Sequence, residues 1–284
     1  MQRFQALLMK YVFMLSALMS VVSVALICYF LFANGIPAIN QIGWANFLLG
    51  REWSPSDVPP LFGIFPMILG SLYITAGAIV VGVPVGILTA VFLAKVCPRP
   101  LYRVIEPTVG LLAGIPSVVY GFFGVVVLVP LVRELFGGNG SSILTAALLL
   151  GIMILPTIIS ISETAIRAVP GELYDGAVAL GASHERAIFA VILPAARSGI
   201  MASVVLGIGR AIGETMAVIM VAGNQARVPD GILKGVRTLT ANIVIEMGYA
   251  AELHREALIA TGVVLFAFIL LINLLFLSMG KKAQ

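Results

Sequence analysis

The sequence predicts an all-α membrane protein with six transmembrane helices, and two observations support that prediction. Of the 284 residues, 60% are apolar and 11% are charged, whereas soluble domains have about 45–50% apolar and about 25% charged residues. The apolar residues also form long uncharged runs, and a helix needs about 20 of them to cross a hydrocarbon core roughly 30 Å thick. A soluble enzyme, a disordered chain and a disulfide-stapled secreted domain are thereby excluded.

Six apolar runs of suitable length follow one another along the chain, and the fifth contains charged residues near its middle. The predicted spans are residues 11–33, 67–94, 107–132, 143–164, 198–223 and 257–280. They form a single transmembrane domain over residues 11–284, preceded by an N-terminal segment, residues 1–10. Glycines four apart, such as Gly82 and Gly86 in the second span, let helix backbones approach closely, so we interpret that pair as a packing feature.

Basic residues in the connecting segments predict that both termini are cytoplasmic. The side of the membrane that holds the termini is the more basic one. Its basic residues are Arg3, Lys10, Lys95, Arg99, Arg103, Arg167, Arg186, Arg197, Lys281 and Lys282, against Arg51, Arg133, Arg227, Lys234, Arg237 and Arg255 on the other. Trp44 and Trp53 then suit an outer loop at the membrane interface.

Arg210 and Glu214 lie near the middle of the fifth span, where a charge costs on the order of 2.5–3.5 kcal/mol. Their spacing predicts that they share one helix face. One interpretation is an internal ion pair that fixes the rotation of the helix. The other, which we favour, is a polar face along a substrate path, with Arg210 attracting an anion and Gly209 and Gly213 leaving room. The planar arginine fork suits an oxyanion.

Motifs of catalysis and cofactor binding are absent from the sequence. It contains no Gly-x-x-x-x-Gly-Lys-Ser/Thr loop for ATP. His184 and His254 fall on opposite predicted sides of the membrane, which argues against a histidine metal site. We therefore expect no catalytic residue, no metal and no cofactor bound by this chain.

The loop of residues 166–197, between the fourth and fifth spans, predicts two short helices at the membrane surface. Pro170 suits the first turn of one helix and Gly181 its end. Ser183 can cap the next helix, and Pro194 ends it. Such a pair could dock into a groove of a soluble partner or lie on the lipid headgroups, and the residues alone leave both open.

This loop resembles the EAA loop of binding-protein-dependent ABC importer permeases, a pattern of Glu-Ala-Ala, three residues, Gly, nine residues and Ile-x-Leu-Pro. Asp175, Gly176 and Val191 depart mildly from that pattern, and its spacing is intact. The resemblance implies a type I ABC importer permease fold (MetI-like), with this loop seated in a cleft of an ATPase. The implied coupling residues are Glu172, Asp175, Gly176, Ala177, Gly181, Leu193 and Pro194.

Four further motifs resemble the PstC-type permease subunits of phosphate-specific ABC importers. They are residues 47–55, ending in Arg51-Glu52-Trp53-Ser54-Pro55, and residues 113–121, 209–217 and 237–243. The resemblance implies a multi-pass inner-membrane subunit that is not an enzyme and moves inorganic phosphate. It also implies a PstA-like second permease, a PstB-like ATPase dimer and a periplasmic PstS-like phosphate-binding protein as partners.

The resemblance implies that Arg210 and Glu214 take part in phosphate movement. We expect Pro116 and Ser117 at a helix break near the path, although a packing kink explains them equally well. Two other functions remain open. The chain could be an ABC permease for another oxyanion, or an ion-coupled secondary carrier in which Glu214 relays protons.

Overall fold

Helices make up most of the chain, and the computed structural model describes residues 2–281. In chain order they are α1 (Gln2–Ile42), α2 (Trp44–Leu49), α3 (Phe65–Val96), α4 (Arg99–Ala113), α5 (Ser117–Phe136), α6 (Ile143–Arg167), α7 (Gly171–Ala179), α8 (His184–Ala195), α9 (Arg197–Gly213), α10 (Met216–Val221), α11 (Leu239–Glu246) and α12 (Glu252–Lys281). Between α2 and α3, strands β1 (Trp53–Ser54) and β2 (Leu61–Phe62) form an antiparallel hairpin. Lys282, assigned above to the cytoplasmic tail, lies outside the described residues.

Six spans emerge from these helices. Within residues 2–281, α1, α3, α5, α6 and α12 are long and apolar enough to cross a membrane. The pair α8 and α9 passes the same test together but is bent by 70°. With that pair counted as one span, the prediction of an all-α membrane protein with six transmembrane helices is confirmed.

The third span begins later than the sequence predicts. Residues 107–132 were predicted as one span with a helix break at Pro116 and Ser117, and in the structure α4 ends at Ala113 and α5 begins at Ser117. Pro116 separates them because proline has no backbone N–H to donate and disfavours helical geometry in the residue before it. The predicted helix break at Pro116 and Ser117 is therefore present.

The fifth span is also broken. Residues 198–223 were expected to be one helix, but α9 ends at Gly213 and Glu214 has extended backbone angles, φ −69° and ψ 131°. The helix resumes as α10 and ends at Val221. A run of apolar residues gives no signal for such a break.

Helix α6 lies at the centre of the bundle, with α3 and α9 against it. A Cβ atom added to Gly82 would lie 2.8 Å from the carbonyl oxygen of Gly151, and one added to Gly86 would lie 2.7 Å from the Ile158 side chain. The interpretation of Gly82 and Gly86 as packing residues is therefore confirmed. The hydroxyl groups of Ser203 on α9 and Ser162 on α6 form a hydrogen bond of 2.7 Å.

The first helix joins the bundle only through its C-terminal part. From Met9 to Phe30 its side chains are almost all exposed, which suits an apolar surface against lipid or another helix. Further along, Phe32 meets Phe266 of α12 edge to face at 5.9 Å. Ala38 and Ile39 are then completely buried.

The loops gather at two ends of the bundle. We call the end with the β1–β2 hairpin, residues 137–142 and residues 222–251 the hairpin end. We call the end with residues 97–98 and 168–196 the coupling-loop end.

Candidate functional site

The break in the fifth span positions Glu214. Its Oε1 atom accepts hydrogen bonds from the backbone N–H groups of Thr215 and Ala217, at 3.0 and 3.3 Å. Glu214 therefore caps α10, satisfying N–H groups that a helix start leaves without partners. The prediction that Arg210 and Glu214 share one helix face is wrong, because α9 ends before Glu214.

Arg210 lies in the last turn of α9 and is partly buried. The ion pairs found within residues 2–281 join Arg167 with Glu163 and Glu246 with both Arg237 and His254. Arg210 thus has no carboxylate partner in the described part of the chain, and the internal ion pair with Glu214 is not formed. An unpaired cation at this depth is costly unless it faces water or an anion.

Open space surrounds the glycines beside Arg210. A Cβ atom added to Gly209 or Gly213 would meet no other atom within 4 Å. One added to Gly207, on another side of α9, would lie 3.2 Å from Ile158. The face of α9 that carries Gly209 and Gly213 is therefore not packed against this chain.

The α4–α5 break lies beside the break in the fifth span. A Cβ atom added to Gly121 of α5 would be 3.0 Å from the Cα atom of Ala217 in α10. The Tyr120 hydroxyl donates to the Leu112 carbonyl oxygen at 2.9 Å, which ties α5 back to α4. The structure thus brings the two breaks together, and the Tyr120 hydrogen bond, which sequence reasoning did not find, spans the α4–α5 break.

The coupling loop folds largely as predicted. Helix α7 follows Pro170. Gly181 comes shortly after the end of α7 and has φ +89°, a conformation that L-residues rarely adopt. The Ser183 hydroxyl accepts from the Arg186 N–H at 3.3 Å and so caps α8. The stop expected at Pro194 comes one residue later, at Ala195, where the chain bends.

Two side chains hold the coupling helices together. The Tyr174 hydroxyl of α7 lies 2.7 Å from Nδ1 of His184 at the start of α8. No residue of α7 is buried, so Glu172, Asp175 and Gly176 are all exposed. On α8, by contrast, Ile188 and Ile192 pack into the bundle, so α8 anchors the loop and α7 projects from it. Ala177 and Leu193 are partly buried, and Pro194 is exposed.

A second charged cluster lies at the coupling-loop end. The Arg167 Nε donates to Glu163 at 2.8 Å, and its Nη2 donates to the Leu93 carbonyl oxygen at 2.9 Å. The guanidinium also lies over the Tyr102 ring, 4.6 Å from its centroid. Arg167 thereby joins α3, α4 and α6 just before the coupling helices begin. The spacing of Glu163 and Arg167 signals this pair, but Arg167 was interpreted only as a topology charge.

At the hairpin end, three side chains meet around the carboxylate of Glu246. Trp53 Nε1 donates to its Oε2 at 2.8 Å, and Arg237 Nη1 donates to its Oε1 at 2.5 Å. His254 Nε2 lies 2.8 Å from Oε2 and acts as a donor, because an ionised carboxylate can only accept. We call Trp53, Arg237, Glu246 and His254 the hairpin-end hub.

The hub lines a pocket of about 350 Å³ together with Tyr249. Burial raises the pKa of the Tyr249 hydroxyl, and the Glu246 charge raises it further. Trp53, predicted in an outer loop at the membrane interface, lies in the loop between the first two spans and is 8% exposed, whereas Trp44 is 53% exposed. Within residues 2–281, no group of three or more His, Cys, Asp or Glu residues could hold a metal ion.

Comparison with known proteins gives a family match over most of the chain. Residues 82–282 match the family described as binding-protein-dependent transport system inner membrane component. The chain is 38% identical over 275 residues to the probable ABC transporter permease protein YqgH of Bacillus subtilis, which covers 94% of this chain and 88% of that protein. It is 38% identical to the phosphate transport system permease protein PstC of Mesorhizobium japonicum, over 85% of this chain and 80% of that protein.

Solved structures of ABC transporters share the fold. A bacterial alginate ABC transporter in complex with its periplasmic protein matches with a TM-score of 0.69 at 16% identity, over 96% of this chain and 94% of that one. The inward-facing MetNI methionine ABC transporter matches with a TM-score of 0.58 at 20% identity, over 78% and 94%. The predicted type I importer permease fold is confirmed.

Proposed function

This chain belongs to the family of binding-protein-dependent transport system inner membrane components, and we propose that it is a PstC-type permease subunit that moves inorganic phosphate inward. It is a multi-pass inner-membrane transport subunit and not an enzyme. The observation that carries the mechanism is the partly buried guanidinium of Arg210, which has no ion-pair partner among the described residues. The name of the PstC relative supports phosphate as the transported anion.

In this proposal, Arg210 gives the passing phosphate a charge-assisted contact. One fixed cation attracts an oxyanion without holding it too tightly, as conduction requires. Glu214 directs its carboxylate toward the start of α10, so it does not neutralise Arg210. Its role is to shape the turn that presents Arg210 to the path. Pro116 and Ser117 contribute the neighbouring break, on the side of the path lined by the start of α5.

The second part of the proposal concerns partners. A PstA-like permease completes the path, a PstS-like periplasmic protein delivers phosphate, and a PstB-like ATPase dimer binds and hydrolyses ATP. This chain binds no cofactor of its own. The hairpin end then faces the periplasm, and both termini lie in the cytoplasm.

The coupling loop is the proposed contact with the ATPase. The exposed helix α7 supports this role, because its residues Glu172, Asp175 and Gly176 are free to meet a partner surface. Leu193 and Pro194 lie in the last turn of α8, directly before the bend to α9. Movement of the ATPase would therefore reach α9, and with it Arg210, through a short and continuous part of the chain.

The test is reconstitution in liposomes with the three partners and labelled phosphate. We expect uptake that requires ATP and the binding protein, and that unlabelled sulfate or molybdate does not inhibit. Inhibition by sulfate or molybdate with little effect of phosphate would assign another oxyanion. Uptake by this chain without any ATPase would contradict the importer assignment and favour an ion-coupled carrier.

A further inference from the structure

The hairpin-end hub contains a buried charge shared by separate segments of the chain. The Glu246 side chain is 7% exposed, and a carboxylate buried to that extent requires several donors. Its donors come from the β1 strand (Trp53), the segment before α11 (Arg237) and the start of α12 (His254). Glu246 thus holds together the loop between the first two spans and the loop between the last two spans.

Helix α11 connects this hub to the break in the fifth span. Glu246 is its last residue, and near its start the Thr240 hydroxyl donates to the Glu214 carbonyl oxygen at 3.2 Å. The Leu239 N–H donates to the Ser71 hydroxyl of α3 at 3.0 Å, which fixes the same end against the bundle. An eight-residue helix is about 12 Å long and stiff. The position of Glu246 at one end of α11 therefore determines the position of Thr240 at the other end, and with it the hydrogen bond to Glu214. We call the break in the fifth span at Glu214 the Glu214 turn.

A second connection runs through Arg237. Its Nε donates to the carbonyl oxygen of Asn224 at 3.2 Å, and Asn224 Nδ2 donates to the Ile219 carbonyl oxygen of α10 at 2.7 Å. Arg237 Nη1 also donates to Asn242 Oδ1 at 3.0 Å. Both ends of the broken segment, the Glu214 turn and α10, are thus tied to the hub.

The network is incompletely satisfied in this conformation. Asn224 Oδ1 and Asn242 Nδ2 are buried and have no hydrogen-bond partner among the described residues. Both belong to direct partners of Arg237. Leaving such atoms unpaired costs about 1–3 kcal/mol each. A second arrangement of Arg237 can donate to Asn224 Oδ1, whereas Asn242 Nδ2 is itself a donor and needs an acceptor.

We propose that Glu246 is a positioning residue that couples the hairpin loop to the Glu214 turn. The hub holds α11 in one position while the β1–β2 hairpin is seated. A partner that shifts the hairpin moves Trp53, releases α11 and changes the access to the face that carries Gly213 and Arg210. The part that concerns phosphate and the binding protein rests on the proposed function, whereas the link from hub to turn does not.

The first experiment reads the turn without any substrate. In the assembled complex with Cys28→Ser and Cys97→Ser, Gly213→Cys is introduced, because a side chain there meets no other atom within 4 Å. Its rate of labelling by a small methanethiosulfonate is then measured with Trp53→Phe, which keeps one aromatic ring and removes the N–H donor. We expect a change of roughly tenfold, the effect of losing one hydrogen bond to a charged group.

Trp44→Phe is the matched control. Trp44 Nε1 also donates one hydrogen bond, to Asn40 Oδ1 at 2.8 Å, but Trp44 lies outside the hub. We expect Trp44→Phe to leave the labelling rate unchanged. Equal labelling in Trp53→Phe and wild type, or equal changes in both tryptophan variants, overturns the proposal.

The second experiment separates positioning from general stability. Glu246→Gln and Thr240→Val are measured singly and together for the ratio of binding-protein-stimulated to basal ATP hydrolysis. If Glu246 acts through the Thr240 contact, the two losses are not additive. Additive losses would overturn the link through α11. If the wild-type complex moves no phosphate while the labelling result holds, the proposed function fails and this inference stands.

Discussion

Glu214 lies four residues after Arg210 and does not pair with it. Its Oε1 atom instead accepts a hydrogen bond from the N–H of Ala217, at 3.3 Å, and so caps the helix that follows the break. The consequence is electrostatic. The charge of Arg210 is not cancelled by the acid nearest to it in the sequence, and it remains available to an anion in the path.

Arg210→Gln should abolish phosphate uptake while the complex still assembles. Glutamine is shorter and keeps some hydrogen bonding, but it removes the charge that attracts the anion. A loss of at least about tenfold corresponds to one charge-assisted hydrogen bond. Uptake of labelled phosphate by proteoliposomes is the measurement, with copurification of the partners to confirm assembly.

Arg210→Lys serves as the control for charge. We expect intermediate uptake, because lysine keeps the charge and loses the planar fork. Normal uptake in Arg210→Gln would show that the charge is structural and that the substrate path lies elsewhere.

Glu214→Gln and Glu214→Ala should differ. The glutamine side-chain oxygen can still accept from the Thr215 and Ala217 N–H groups, whereas alanine removes the cap at a cost of about 1 kcal/mol. We expect Glu214→Gln to retain most of the uptake and Glu214→Ala to lose several-fold. A proton-relaying carboxylate predicts a different result, in which both variants are equally inactive, so the same uptake assay also tests the carrier alternative.

The spans could be predicted from the sequence because burial in lipid is a property of local composition. The breaks could be located only in part. Pro116 marks the first, since proline has no N–H, but nothing around Gly213 marks the second. The cap by Glu214 depends on where α9 ends, and a charged pair at four-residue spacing suggests an ion pair instead.

The hub was beyond prediction for a different reason. Trp53 and Glu246 are 193 positions apart, and an exposed interfacial tryptophan is the usual expectation for such a loop. Only tertiary structure brings them together. The motif that includes Arg237 and Asn242 was visible in the sequence, but its contacts were not.

Gly181→Val should uncouple ATP hydrolysis from transport. Gly181 has φ +89°, a conformation that costs a branched residue roughly 1–2 kcal/mol. The turn between α7 and α8 would shift and move the helix that projects toward the ATPase. We expect ATP hydrolysis to continue while phosphate uptake falls several-fold. Gly171→Ala is the control, because a Cβ atom there meets no atom within 4 Å and its φ is not positive. Equal coupling in both variants would contradict the prediction.

Arg167→Gln should destabilise the coupling-loop end. The change leaves Glu163, whose side chain is 8% exposed, without its ionic partner and removes the donor to Leu93. The expected cost is about 1–3 kcal/mol, measured as a lower Tm of the complex in detergent. Arg197→Gln is the control, since Arg197 is exposed and forms no ion pair within residues 2–281. An unchanged Tm in Arg167→Gln would mean that the cluster contributes little to stability.

Gly82→Ala should separate α3 from α6. The new methyl group would lie 2.8 Å from both the Gly151 carbonyl oxygen and the Ile154 side chain, and a backbone atom cannot move aside without moving its helix. Overpacking of this kind costs about 1–3 kcal/mol, which a lower Tm would report. Gly110→Ala on α4 adds the same methyl group where no atom lies within 4 Å, so improved helix propensity should leave it neutral or stabilised by up to about 1 kcal/mol. Opposite signs in the two variants would show that contact, and not the loss of a glycine, sets the cost. Equal stability would mean that α3 and α6 are less closely packed in the membrane.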